Sequence, residues 1–338
     1  MTGTHSYAGR HTAQPQRCAQ TRSGRGYVQP RPRTSRKPKR KNRVWQVVLL
    51  LAIIAAAIVV IKHLRLSGPA LKVTAPKNNI VTDYNVGEDL TDIRSSERFG
   101  KGGGDADPAD AEKLRALAEK YTAYRSKLIF IADNIGDFSN NGVKSVLTSP
   151  EKVDFVLRAA YGPRENSTTK KLSVKKGQIP FLLQYDSRWA FHNYGSSYLG
   201  YTACGPTCLS MAAAGLTGNT EYTPEYVADF AEKNGYYIAG TGTSWSLFTD
   251  GAAKLGLSCE GVGLSESAME KALKGGGVLI ASMTPGDFTS AGHFIVIYKS
   301  GLGGFRVYDP SSIERSSRAW SYDRLKSQIA QLWRFTEA

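Results

Sequence analysis

Apolar residues are scarce along the chain until position 44, where VWQVVLLLAIIAAAIVVI runs for eighteen residues with Gln46 as its one strongly polar member. A run of this length predicts a transmembrane helix over 44–61. Trp45 at one end, and Lys62, His63 and Arg65 at the other, are residue types that suit the two membrane interfaces. A cleaved signal peptide fits less well, because the core is longer than the usual h-region of about 7–15 residues and a long basic segment precedes it. Residues 62–108 lack a periodic apolar pattern and pass through Gly100-Lys101-Gly102-Gly103-Gly104-Asp105, the composition of a flexible tether. Asp107-Pro108 then offers a cap and a first-turn proline, and Leu114, Leu117, Tyr121, Tyr124 and Leu128 follow at helical spacing, which predicts a helix to about residue 133. A second helix begins at Ser149-Pro150-Glu151, carries Val153, Val156, Leu157 and Ala160 on one stripe, and stops at Gly162. Residues 109–165 therefore read as a helical stalk or brace, and nothing in them suggests chemistry.

From Ile179 onward the period changes. Helices are predicted at 204–215, at 224–234 (Thr223 cap, Pro224 in the first turn, Gly235 stop), at 244–255 and at 266–274. Short β-type runs follow at 278–282, 293–298, 305–308 and 331–335. Helices first and strands afterwards argue for an α+β domain with an antiparallel sheet over 179–338, long enough to bury its own core.

Charge changes this picture at the N-terminus only. Residues 1–43 hold twelve Lys or Arg and no Asp or Glu, and the rest of the chain is close to neutral. With few aliphatic residues, that tail reads as disordered. Eight basic residues (31–43) precede the apolar run and four (Lys62, Arg65, Lys72, Lys77) follow it. The positive-inside rule then places the N-terminus in the cytoplasm and the remainder outside, in a single-pass arrangement at the cell membrane. The tail would face anionic inner-leaflet lipid, and no nucleic acid is expected as a partner.

Candidate chemistry starts at Ala203-Cys204-Gly205-Pro206-Thr207, where a loop gives way to an apolar helix. Unpaired N–H groups and the positive end of the macrodipole at a helix start favour a thiolate. A nucleophilic cysteine needs a base, and the base an orienting partner. His5 and His11 lie in the tail and His63 at the membrane edge, which leaves His192 and His293. His293 opens a strand, and folding a hairpin about residue 301 sets it opposite Asp309, on the same face. Asp309 can then hold one imidazole nitrogen and leave the other to the Cys204 thiol, a nucleophile–base–orienter triad. His192, in an aromatic loop, reads as structural or substrate-lining. Gln184, in Pro180-Phe181-Leu182-Leu183-Gln184, could add an amide N–H to an oxyanion hole. The loop Ala239-Gly240-Thr241-Gly242-Thr243-Ser244-Trp245, with Gly240 and Gly242 flanking small polar residues, reads as a mobile cleft loop or equally as a plain turn before the next helix.

These pieces, with Asp186 and Trp189, Gly292-His293-Phe294 and Tyr308-Asp309-Pro310, resemble the papain-like cysteine peptidases, in the branch similar to bacteriocin-leader (double-glycine) processing peptidases. The resemblance covers 179–335 and implies Cys204 as nucleophile, His293 as general base, Asp309 as orienting acid and Gln184 as oxyanion donor. Classical members of that branch are fused to ABC transporters and work on the cytoplasmic side, whereas this chain has one span, no Walker A glycine loop and a domain predicted outside. The leader-peptide substrate is therefore not implied.

The sequence thus predicts a membrane-anchored, extracytoplasmic cysteine hydrolase that cleaves an amide bond in a peptide, a protein or a cell-wall peptide. Two alternatives remain open: an acyl transferase of transpeptidase or transglutaminase type on the same triad, and a retired site that binds peptide or wall polymer. No cofactor is called for. Cys204 and Cys208 lack a second ligand pair at zinc spacing, so no metal is expected. Cys208 and Cys259 are core residues or partners in a disulfide.

Overall fold

A computed structural model describes residues 47–56, 80–82, 84, 90, 104–167 and 171–338. The basic tail read over 1–43 lies outside these residues. Of the span read over 44–61, residues 47–56 are described; they form a helix with exposed apolar side chains, and the rest of that stretch lies outside the described residues. Among the described residues no helix is long and apolar enough to cross a membrane.

Where the supposed tether is described, part of it is packed rather than free. The Val81 N–H donates to Asp186 Oδ2 at 2.8 Å and the Val81 carbonyl accepts from the Ser187 N–H. Tyr84 is buried against Phe155 and Phe191, with its hydroxyl donating to the Tyr185 carbonyl.

Four helices follow: α1 (Asp110–Lys120), α2 (Arg125–Asp133), α3 (Asn140–Thr148) and α4 (Val153–Tyr161). The single helix expected to run to residue 133 is broken at Tyr121 (φ −113°, ψ 71°), where a 3₁₀ turn over Thr122–Tyr124 intervenes. No proline or glycine marks the break. The Tyr121 hydroxyl bonds Glu314 at 3.0 Å, and Leu114, Leu128 and Ile131 all reach the same core. Helix α3 was not expected at all, because Asn140-Asn141-Gly142 are weak helix formers. Ser139 nucleates it by accepting from the Gly142 N–H at 3.1 Å.

The remainder is α+β. Helix α5 (Cys204–Thr217) ends on Gly218, whose φ of 77° is the left-handed cap that glycine adopts without strain. Helices α6 (Pro224–Lys233, capped by Thr223) and α7 (Glu266–Lys274, capped by Ser265) follow the expected bounds closely. The helix expected over 244–255 is present as a continuous helical stretch over 246–254, but its Leu247–Gly251 part is π-helical and only Ala252–Lys254 is regular α-helix. The strands are β1 (Leu257–Gly261), β2 (Val278–Met283), β3 (His293–Gly301), β4 (Gly304–Tyr308), β5 (Ala319–Trp320) and β6 (Ile329–Glu337). They form an antiparallel sheet in the order β1-β6-β2-β3-β4-β5. Strands β1 and β5 were not anticipated. β1 reads Leu-Ser-Cys-Glu-Gly and β5 has two residues, so neither carries a legible alternation.

Both faces of the sheet are covered. Val278, Ile280, Phe294, Val296, Trp333 and Phe335 join the core that contains α5 and α1–α4. Leu279, Ala281, Ile295, Ile297 and Leu332 pack with Met269 and Ala272 of α7 on the other side. Alternate residues of one strand thus serve two cores, which is why β2 is buried along its whole length.

The β3–β4 hairpin departs from the expected register. Val296 faces Tyr308 and Gly301 faces Gly304, with an irregularity between Ile297 and Lys299. His293 pairs with Met283 of β2 and does not lie directly opposite Asp309. Carrying the Val296–Tyr308 register onward sets Asp309 across from Ile295. His293 is two residues further on and on the same face, a diagonal neighbour that long side chains can reach.

Candidate active site

Helix α5 is buried from Gly205 to Leu216, so its N-terminus opens inside the protein rather than at the surface. Cys204 is its first residue and lines a cleft of about 640 Å³. Gly205 lets the loop over 239–245 come close: a Cβ there would lie 2.7 Å from the Thr243 side chain. Gly240, Thr241, Gly242, Thr243 and Trp245 of that loop line the cleft, with Gly240 (φ 76°) and Gly242 (φ 97°) in backbone conformations that favour glycine. Of the two readings left open for this loop, the structure places it at the cleft.

Burial would push the Cys204 thiol up. The charge and hydrogen bond of His293 and the backbone N–H groups of Phe294 and Gly205 outweigh it, and the thiol is more acidic than an ordinary cysteine. One turn further, burial pushes the Cys208 thiol well up, and Cys259 is raised to about 11. All three are free thiols, so the Cys208–Cys259 pairing does not occur. Among the described cysteines only Cys204 has the environment of a nucleophile.

His293 is nearly buried, and its Nε2 lies 2.8 Å from Asp309 Oδ1, which leaves Nδ1 for the sulfur. Burial alone would lower the imidazole; the charges of Asp309 and Cys204 and the bonds to both carry it up to about 9. Asp309 is fully buried. Burial opposes its ionisation, but Arg315 and His293 hold it well below the usual carboxylate range. Arg315 Nε donates to Asp309 Oδ2 at 2.5 Å, and the Ser311 N–H donates to Oδ1 at 2.7 Å. Both carboxylate oxygens are thereby fixed.

Gln184 faces the same cleft and is buried. Its backbone N–H donates to the Pro310 carbonyl at 2.8 Å, which ties it to the end of β4. Its Oε1 accepts from Ser311 Oγ at 2.9 Å, and its Nε2 donates to the Gly200 carbonyl at 2.9 Å. An amide nitrogen carries two hydrogens, so one remains for the cleft. The four residues singled out by sequence, Cys204, His293, Asp309 and Gln184, are thus brought together. His192 is not among the lining residues; its Nε2 bonds Asp229 at 2.6 Å and its Nδ1 lies 3.5 Å from Glu225.

Several residues at the site gave no sequence signal. Arg315 also donates to the Thr148 carbonyl (2.8 Å) and to Ser149 Oγ (2.9 Å), and Ser312 Oγ donates to Glu151 at 2.6 Å. Lys152 is buried beside Ser311. The reading of 109–165 as chemically silent is therefore corrected: the α3–α4 turn forms one wall of the site. Among the described residues no cluster of His, Cys, Asp and Glu suited to a metal ion is present. The arrangement can form a thiolate–imidazolium pair with an amide donor beside it, the equipment for attack on a carbonyl.

Residues 177–337 match the family model described as Peptidase_C39 like family, which supports the resemblance to papain-like cysteine peptidases that the motifs carry. Among solved structures, the chain is similar to a Bacillus anthracis protein assigned as a C39-like peptidase. That match has 16% identity, covers 50% of this chain and 99% of the other, and has a TM-score of 0.29. No curated protein matches the chain.

Proposed function

We propose that this chain is a cysteine peptidase that cleaves an amide bond in a peptide, a protein or a cell-wall peptide through a thioester on Cys204. The observation that carries the reading is the buried 2.8 Å contact between His293 Nε2 and Asp309 Oδ1, with His293 in turn hydrogen-bonded to the Cys204 thiol. The thiolate attacks the carbonyl carbon, a C–S bond forms, and the carbonyl electron pair moves onto oxygen. Gln184 Nε2 and the Cys204 backbone N–H would stabilise that oxyanion. The intermediate collapses as His293 gives its proton to the departing amine. Water, deprotonated by His293, then attacks the thioester and releases the carboxylate and the thiol.

The pairing is tested by alkylation with iodoacetamide at pH 6.5, where an ordinary thiol (pKa about 8.5) is almost entirely protonated. Cys204 should alkylate at least about tenfold faster than Cys208 or Cys259, and His293→Ala should remove most of that advantage. Equal rates at the three cysteines, or no effect of His293→Ala, would overturn the reading.

We also propose that residues 44–61 anchor the chain in the membrane, with the basic tail against anionic inner-leaflet lipid and the peptidase outside. The apolar run and the eight-to-four asymmetry of flanking basic residues support this. With a tag at the N-terminus, protease added to intact cells should digest the peptidase part and spare the tag. Loss of the tag before lysis would sink the proposed orientation.

A further inference from the structure

Lys152 opens the turn into α4, outside the stretch matched by the family, and is 3% exposed. A buried ammonium is costly unless its hydrogen bonds and charge partners compensate. Its Nζ donates to Ser311 Oγ at 3.1 Å and lies over the Tyr185 ring, 5.5 Å from its centroid. Ser311 Oγ donates in turn to Gln184 Oε1. The direction of this chain is fixed, because an ammonium only donates and the hydroxyl, having accepted, gives its proton to the amide oxygen. Drawing electron density toward Oε1 makes the Nε2 hydrogens of the same amide better donors, as in any cooperative chain of hydrogen bonds.

Resting on the proposed role of Gln184 as oxyanion donor, we infer that Lys152 is a positioning residue for that hole. The Lys152–Ser311–Gln184 relay orients the amide and strengthens its N–H toward the oxyanion. The helical segment would thus supply a working part of the catalytic apparatus.

The relay has a pH signature. Burial lowers the Lys152 ammonium to about 8, with Asp309 opposing that shift, Arg315 adding to it, and Glu151 and Cys204 opposing it. Tyr185 faces it through its ring. Lys152 therefore carries its proton below about pH 8 and loses it as the pH rises through that value, so its contribution should be nearly full at neutral pH and should weaken above 8, where the neutral amine is a poorer donor.

The probe is p-nitrophenyl acetate, an activated ester whose acyl transfer to Cys204 passes through an oxyanion and expels p-nitrophenolate. Iodoacetamide serves as the contrast, because displacement of iodide creates no oxyanion. In the full chain at pH 7, Lys152→Met should slow Cys204 acylation about tenfold, less than the 10²–10³ typical of deleting an oxyanion donor outright. Alkylation should change by less than about threefold. The ratio of wild-type to Lys152→Met acylation rates should fall toward one as the pH rises past about 8. In a Ser311→Ala background, which breaks the relay and leaves the backbone in place, Lys152→Met should change acylation by less than about twofold. Equal slowing of acylation and alkylation would mark Lys152 as merely structural. A ratio that does not change with pH, or full additivity with Ser311→Ala, would likewise overturn the relay. If the acylation burst survives in Cys204→Ala, the thioester reading itself has failed, a result distinguishable from failure of the relay.

Discussion

Cys204→Ala is expected to lower turnover by about 10⁴-fold or more, to the level left by binding and the oxyanion hole alone. No neighbour can take over the nucleophile's part. Cys208 lies one turn away, but burial holds its thiol in the neutral form, and Cys259 sits on β1 with a thiol raised to about 11. The fold should tolerate the change, because Cys204 is the first residue of α5 and is not among the fully buried residues that hold the helix in place. The check is mass spectrometry after treatment with a thiol-reactive peptide probe, with thermal melting run in parallel. Wild-type protein should be modified at Cys204 and the variant should not be modified, at an unchanged melting temperature. Modification that moves to Cys208, or hydrolysis that persists in the variant, would remove Cys204 from the mechanism.

Arg315→Met is expected to destabilise the protein by roughly 3–5 kcal/mol, the usual cost of deleting one partner of a buried ion pair. Asp309 has no exposure and would lose the cation that holds Oδ2. The Thr148 carbonyl and Ser149 hydroxyl would lose their donor at the same time. For a domain of this size the melting temperature should drop by about 6–20 °C. Acid sensitivity should change as well. A carboxylate whose folded pKa is depressed contributes stability that is full above its unfolded value near 3.9 and is lost progressively as the pH falls from there to the folded value. The wild-type protein should therefore lose stability steeply below about pH 4, whereas the variant, already deprived of most of this contribution, should show a flatter acid limb. Arg315→Lys, which keeps the charge but not the planar fork, should fall between the two. A loss below about 1 kcal/mol in Arg315→Met would show that Asp309 does not depend on this cation.

The parts of the fold that were legible are those written as periodicity or caps. Thr223-Pro224 announced α6, and the largely apolar, Ala-rich run after Cys204 announced a buried helix. The break at Tyr121 and the existence of α3 were not legible, because packing of Tyr121 against Glu314 and a single Ser139 cap decide them. At the site, His293 and Asp309 could be found because they sit near one hairpin, and the error in register did not change the face they share. Arg315 could not be found so easily. An arginine in Ser-Ile-Glu-Arg-Ser-Ser looks like any exposed basic residue, and only the tertiary fold brings it under Asp309. Lys152 was hidden for the same reason, in a Pro-Glu-Lys turn that reads as solvated surface.

The α3–α4 turn holds Arg315 through Thr148 and Ser149, and it lies outside residues 177–337. A family is delimited by what recurs among its members, and an active site by what touches it; in this chain the two boundaries differ. Excising the matched stretch would keep every member of the triad and Arg315, and discard the Thr148 carbonyl and Ser149 hydroxyl that hold Arg315 against the triad's carboxylate. A graft or library built on that stretch would therefore inherit the reactive atoms without part of their support, and the portable unit of this site reaches back at least to the α3–α4 turn.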